Sequence, residues 1–386
     1  MLAYRSLRGT ASSDHLDFVR GIAALAVVFG HLRNLFFVNY SDIRNPNLPV
    51  KILFLFTSFP HFAVMVFFVL SGYLVGGTVL RGRMDGKFSW GSYSVNRLTR
   101  LWVVLIPALL LGAIWDHTGI HIFGTSGIYG GLPRINAAMV EVAPRLSPSV
   151  MVGNALFLQG IVTPTFGSNG PLWSLSYEFW YYVLFPLMVL AYPADGFGWF
   201  TVLYTISALT VALFIGQSII LYFLIWLLGA AINLAPEQAG RRGDLWVVIG
   251  AFGILMLVVA AFKSKLGTVE YSDFVVGGAS AVLIYTLLRS NARSASGFYS
   301  RIARGLAGFS YSLYLVHAPA LNFIGAWLVP RGRWQPDPVH IAIVAILGIC
   351  ILVYAFAIAQ LTEYRTGAVR SCVIPIFGLH RESTSA

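Results

Sequence analysis

The sequence predicts an all-α protein, a polytopic membrane bundle of about ten transmembrane helices. Three observations lead there. Only 11% of the 386 residues are charged, less than half the share of roughly 25% usual in soluble domains. Hydrophobic residues make up 57%, and the mean hydropathy is +0.75. The apolar runs are continuous over about 20 residues, the length of a membrane-spanning helix, rather than alternating as in a barrel. A water-facing surface cannot be covered so sparsely, so a soluble enzyme and a disordered chain are both excluded.

The ten helices are read at about 16–38, 58–80, 93–115, 171–191, 198–216, 218–235, 244–262, 272–289, 303–329 and 338–362. Gly and Pro punctuate the gaps, as in Asn45-Pro46-Asn47-Leu48-Pro49 and Pro330-Arg331-Gly332. The first run is too long and too interrupted by polar residues for a cleavable signal. The long connection 116–170 holds a short apolar piece, Met151 to Gly160, expected to be re-entrant or to lie against the bundle. The sequence shows no internal repeat. The whole chain, 1–386, is expected to be one membrane-embedded domain with a tail at 365–386.

The net charge of +11 reads as topology here, not as a nucleic-acid surface. With the N-terminus inside, about two thirds of the 26 basic residues fall on cytoplasmic segments. Both termini are therefore expected in the cytoplasm of a cell with the protein in its inner membrane, and 116–170 on the outer side. Cys350 and Cys372 form no CxxC pair and no metal spacing, so no metal site is expected.

Ionisable side chains within spans cost at least ~2.5–3.5 kcal/mol and point to function. In the first helix Asp17 and Arg20 are i,i+3 partners, and Arg20 and His31 are eleven residues apart. That spacing returns His31 to within about 20° of the same face, about 16 Å along the axis. Taken singly, Arg20 reads equally as a topological flank and His31 as a structural histidine. Ser71-Gly72 suits close helix packing. Arg97 and Arg100 share a face and read either as a basic flank or as a bidentate phosphate clamp. Trp173 reads as an interfacial anchor, whereas Glu178 lies deeper. Ser310, Tyr314 and His317 share a face of the ninth helix. Glu363 stands beside Arg365 and reads as an ordinary surface pair. Counted at 1.5 Å per residue, His31 and His317 lie about 20 Å from the cytoplasmic side, near the level of Glu178 and Ser71. Arg20, Arg97 and Arg100 gather at the cytoplasmic mouth.

These residues resemble the acyltransferase-3 family of multipass membrane acyltransferases, here in a stand-alone, O-acetyltransferase-like form. The match comprises Arg20 and His31 with ten residues between them, Phe67-Phe68-x-x-Ser71-Gly72 and Arg97-x-x-Arg100. It continues through Pro171-Leu172-Trp173-Ser174-Leu175-x-x-Glu178 and Ser310-Tyr311-Ser312-Leu313-Tyr314-Leu315-x-His317. Each motif alone is weak; five in family order are specific. The terminal Glu-Lys/Arg-Pro is only partly present, since Tyr364 and Arg365 follow Glu363. The resemblance implies transfer of an acyl group, commonly acetyl, from cytoplasmic acyl-CoA to a hydroxyl of a carbohydrate or glycolipid on the far side. Acyl-CoA is then a donor substrate, and no permanently bound cofactor is expected.

On this reading Arg20, Arg97 and Arg100 hold the donor's phosphates, and Ser71 places the thioester or merely packs. The pantetheine arm reaches roughly 15–20 Å, close to the rise from Arg20 to His31. His31 is the expected general base or, alternatively, an acyl-carrying nucleophile, with Glu178 or His317 assisting. Asp17, Trp173, Tyr314 and Glu363 are support. A transporter or flippase for a polar or glycan substrate is the rival reading, because it too places ionisable residues at mid-membrane.

Overall fold

The computed structural model describes residues 11–131, 141–193, 196–235, 244–263, 269–289 and 297–376. Among these, helices account for nearly all regular structure, and β-pairing is confined to isolated bridges. The order is α1 (Ala11–Phe36), α2 (Leu48–Thr57), α3 (Pro60–Ser71), a π-helical turn (Gly72–Gly76), α4 (Gly77–Met84) and α5 (Trp90–Phe123). Then follow α6 (Pro148–Ala155), α7 (Trp173–Ala191), α8 (Trp199–Ile232), α9 (Asp244–Lys263) and α10 (Val269–Arg289). The chain continues with α11 (Phe298–Gly308), α12 (Ser310–Leu328), α13 (Pro338–Leu361) and α14 (Thr366–Ile376).

Among the described residues, six helical stretches are long and apolar enough to cross a membrane: Ser12–Phe36, Leu48–Met84, Trp90–Phe123, Trp199–Ile232, Tyr271–Arg289 and Pro338–Pro375. The count of ten is not reached by that measure, and the reasons are local. α7 spends its first half on Trp, Ser, Tyr and Glu178, and α12 carries Ser310, Ser312, His317 and Asn322. Both are helices of 19 residues, but their polar load keeps them below the apolar standard. The expected spans 198–216 and 218–235 lie in one stretch, α8, broken at Gly216, where φ is 80° and ψ 171°. That conformation is open chiefly to glycine and redirects the chain. The expected helix 303–329 is divided at Phe309 into α11 and α12.

Two boundaries also move. α5 runs to Phe123, eight residues beyond the expected end at 115, so Asp116 is helical and the connection begins at Gly124. Of the expected tail, 366–376 form α14, which packs on α5, and 377–386 lie outside the described residues. The short apolar piece forms α6 and a set of turns against α5, too short to span.

Contacts group the chain into two compact units. The first takes residues up to Ala23, His61–Phe88 and Tyr177–Ala307; the second takes Ala24–Pro60, Ser89–Ser176 and Gly308 onward. In the first unit α8 packs along the π-helical turn and α10 packs on α8 and α9. A Cβ at Gly72 would stand 1.9 Å from the Trp226 carbonyl oxygen, so this seam needs glycine for its close approach. In the second unit α12 is the central element, packed on α5 and α13. His317 and Leu315 on α12 are fully buried.

Candidate active site

The second unit holds the two histidines. His31 Nδ1 lies 2.8 Å from His317 Nε2, with the rings stacked at 5.1 Å and 22°. His317 Nδ1 lies 2.9 Å from the carbonyl of Leu313, one turn back on α12. A carbonyl only accepts, so His317 Nδ1 carries the hydrogen. In the neutral ring Nε2 is then the acceptor, and His31 Nδ1–H must be the donor. The chain of bonds ends with the lone pair of the pair on His31 Nε2.

The ends of α12 explain why His317 is held so firmly. Pro319 has no N–H, which frees the Leu315 carbonyl from its helical partner. Asn169 Nδ2 donates to that carbonyl at 2.8 Å. The segment around Asn169 is tied down in turn: Ser168 donates from its backbone N and its Oγ to Asp116, both at 2.7 Å. Asn322 donates to the Ser168 carbonyl, and the Tyr314 hydroxyl donates to the Pro171 carbonyl at 3.1 Å and meets Ser174 Oγ at 2.7 Å. The Pro171–Ser174 motif is therefore a strap bound onto α12. Trp173 begins α7 within this strap and is half-buried.

At the other end of α12, Glu363 corrects the expectation of a surface pair with Arg365. Its carboxylate is buried, accepts from the backbone N and Oγ of Ser312 at 2.9 and 3.0 Å, and pairs with Arg100 at 3.2 Å. A carboxylate at a helix N-terminus is stabilised by the orphan N–H groups and the dipole. The Arg100 guanidinium also lies over the Tyr311 ring at 5.5 Å, and Arg97 lies over Tyr93 at 5.9 Å. His317 follows Tyr311 by six residues, about 9 Å along α12.

In the first unit Asp17 and Arg20 form the expected i,i+3 pair at 3.2 Å. Arg20 also donates to the Ala307 carbonyl at the end of α11, where a cation suits the helix dipole. Both side chains line a small cavity of about 60 Å³ with Ser13, Leu16, Leu70 and Leu74. Ser71 and Glu178 are brought together: Ser71 Oγ donates to Glu178 at 3.2 Å and accepts from Trp226 Nε1 at 3.2 Å. The Tyr182 hydroxyl, one turn on from Glu178, donates to the same carboxylate. Close helix packing at Ser71-Gly72 and a polar knot around Glu178 are thus one feature.

Among the buried polar residues that sequence reasoning passed over are Asp116, Asp273 and Asn169. Asp116 and Asp273 are both fully buried, and Asn169 is nearly so. Asp116 and Asp273 sit near the ends of apolar runs, where an acid reads as a flank. The one signal for Asn169 was its place just before the Gly170-Pro171 turn, a position for backbone bonding. Among the described residues no three His, Cys, Asp or Glu are grouped as metal ligands.

The family model described as an acyltransferase domain, that of the acyltransferase-3 family, matches residues 14–357. The chain belongs to the acyltransferase-3 family. With its long apolar helices it is a multipass membrane acyltransferase. No curated protein and no solved structure matches it.

Proposed function

We propose that this acyltransferase-3 protein transfers an acyl group, commonly acetyl, from cytoplasmic acyl-CoA to a hydroxyl of a cell-surface or exported glycan or glycolipid. The observation that carries the chemistry is the bond from His31 Nδ1 to His317 Nε2, closed by the Leu313 carbonyl. It leaves His31 Nε2 as the proton acceptor. The acceptor hydroxyl gives its proton to Nε2 as its oxygen attacks the thioester carbonyl. The tetrahedral adduct then collapses, the C–S bond breaks, and the coenzyme A thiolate takes the proton back from His31. Atoms and charge balance without a metal or redox partner. His317 touches no reacting atom in this scheme; it fixes the tautomer of His31, as the third member of a catalytic triad does.

Arg97 and Arg100 serve the donor's phosphates. Guanidinium groups suit this because they offer bidentate donors. The pairing with Glu363 leaves Arg100 partly exposed and orients its plane. The distribution of Lys and Arg supports a topology with both termini in the cytoplasm.

The test is incubation of membranes with labelled acetyl-CoA and recovery of label in alkali-labile ester on envelope glycan. The wild-type chain incorporates label and His31→Ala does not, while the variant remains folded and inserted. Retained transfer by His31→Ala overturns the assignment.

A further inference from the structure

In the second unit, two residues beyond His31, stands an arginine without a counter-ion. Arg33 lies in the last turn of α1, inside an apolar span, and its Nε is enclosed with no hydrogen-bond partner. Among the described residues its side chain meets no carboxylate and no hydrogen-bond acceptor; its neighbour is the ring of Phe54, 4.9 Å away. An ionisable group in a span is expected to have a partner or to serve a ligand. The charge that the fold brings up to it is a second cation, Arg333, from the connection between α12 and α13. Arg333 Nη1 donates to the Asn34 carbonyl at 3.3 Å and to Asn39 Oδ1 at 3.1 Å. It therefore sits at the end of α1 next to Arg33, on which its like charge acts. Backbone bonds hold this arrangement: Trp334 N donates to the Phe36 carbonyl at 2.7 Å, and Val38 N to the Trp334 carbonyl at 3.0 Å. A helix C-terminus offers a cation about half a negative charge, which two arginines exceed. The segments Arg33 to Lys51 and Arg331 to His340 hold five Lys and Arg against Asp42 and Asp337, and His340 engages Asp337.

We propose that Arg33 and Arg333 bind an oxyanion of the acceptor, a carboxylate or phosphate carried by the glycan, and so select acidic glycans for acylation. The proposal rests on the acyl-transfer reading above. Its ligand class follows from the donors present. Guanidinium groups hold a carboxylate or phosphate by paired, charge-assisted hydrogen bonds. Among the described residues Arg33 spends none of its side-chain N–H donors, and Arg333 spends only those of Nη1. Both residues are part-exposed, so an anion reaches them from outside the protein. Phe54, itself buried, backs the Arg33 guanidinium and fixes its position. Two cations held side by side favour an anion, because its binding relieves their repulsion. In the proposed topology this is the outer end of α1, where basic residues run against the positive-inside trend and where the glycan arrives. Arg33 follows His31 by about 3 Å along the axis and about 200° around it. Its side chain therefore leaves α1 on the side away from His31. The anion it holds belongs to a different part of the glycan from the reacting hydroxyl, so the acceptor is larger than one sugar.

The test uses the full chain in phosphatidylcholine nanodiscs, which leave both faces open, and compares Arg33→Gln, Arg33→Lys and Arg333→Gln with the wild type. The acceptor is envelope glycan from the producing cells, offered as extracted and after carboxyl reduction and phosphatase treatment have removed its charge. Label passing from acetyl-CoA to glycan gives the half-saturating amount. Acetyl-CoA affinity, expected within about twofold of wild type for every variant, certifies the fold. For the wild type, removing the charge should raise half-saturation about tenfold or more. Arg33→Gln and Arg333→Gln should need about tenfold more of the charged glycan and distinguish it from the neutral form by less than about twofold. Arg33→Lys keeps the charge but not the paired donors and should fall between. If Arg33→Gln does not fold, Arg333→Gln decides. Equal use of charged and neutral glycan by the wild type overturns the anion site and leaves the acyl-transfer reading intact, as does half-saturation by the Gln variants within about twofold of wild type. Adding phosphatidylglycerol supplies the other source of phosphate. A gain in wild-type transfer with that lipid, absent in Arg33→Gln, assigns the pair to headgroups and also overturns the proposal. A wild-type chain that binds acetyl-CoA yet labels no glycan overturns the acyl-transfer reading, and the anion site with it.

Discussion

His317 and Glu363 show how single residues act through a neighbour. If His317 serves to hold hydrogen on His31 Nδ1, a side chain with an acceptor at the same place should retain part of the function. His317→Gln is expected to keep measurable transfer, and His317→Leu to lose about 10²- to 10⁴-fold, the range for general-base catalysis. Equal loss in both variants, measured as initial rate with labelled acetyl-CoA, would remove the tautomer role. Glu363 sits between the Arg100 guanidinium and the first turn of α12. Glu363→Gln keeps an acceptor for Ser312 but removes the charge, so its first effect should be on Arg100. A several-fold weaker acetyl-CoA affinity is expected, with a modest loss of thermal stability; unchanged affinity would detach Arg100 from donor binding. The pair is legible only in part from sequence. Glu363 was visible as a motif fragment, but Arg100 is 263 positions earlier, and Arg365 two residues away was the nearer cation.

At the scale of elements, the π-helical turn at Gly72–Gly76 and the cap of α13 carry testable energetics. Gly72→Ala would place a methyl 1.9 Å from the Trp226 carbonyl oxygen, a backbone atom that cannot rotate away. The helices must separate, at a cost of about 1–3 kcal/mol. The midpoint of thermal unfolding in detergent should fall, and a midpoint equal to wild type would mean that the seam is looser than described. Asp337 caps α13 by accepting from the backbone N–H of His340 at 3.0 Å, and its other oxygen meets His340 Nδ1 at 2.6 Å. These bonds hold its carboxyl below the ordinary range. A depressed carboxyl contributes stability above its unfolded pKa and loses it as pH falls through the folded one. Asp337→Asn should therefore narrow the stability difference between neutral pH and pH values below the usual carboxylate range, read as the unfolding midpoint against pH. The cap was readable from the order Asp337-Pro338, an N-cap followed by proline at the first helical position.

For the whole molecule, the topology expected from basic residues makes a direct prediction. Reporter fusions after Phe88 and after Gly297 should read as cytoplasmic, and a fusion after Gly127 as external. A cytoplasmic reading at Gly127 would invert the donor and acceptor sides of the proposed reaction. The class of the protein, its long apolar helices and the Asp17–Arg20 pair were all determined by the sequence, because composition and periodicity are properties of neighbouring residues. Even the break at Gly216 falls at the gap between two expected spans. The polar load of α7 and α12 is local too, and with the merging of two expected spans in α8 it accounts for most of the difference between the ten expected helices and the six that meet the apolar standard among the described residues. Tertiary structure alone decided which polar groups meet. His31 and His317 are 286 residues apart and His61 and Asp273 are 212 apart. Helical periodicity places a side chain on a face, but the partner on that face depends on how α-helices pack, and this follows from the complementarity of whole surfaces.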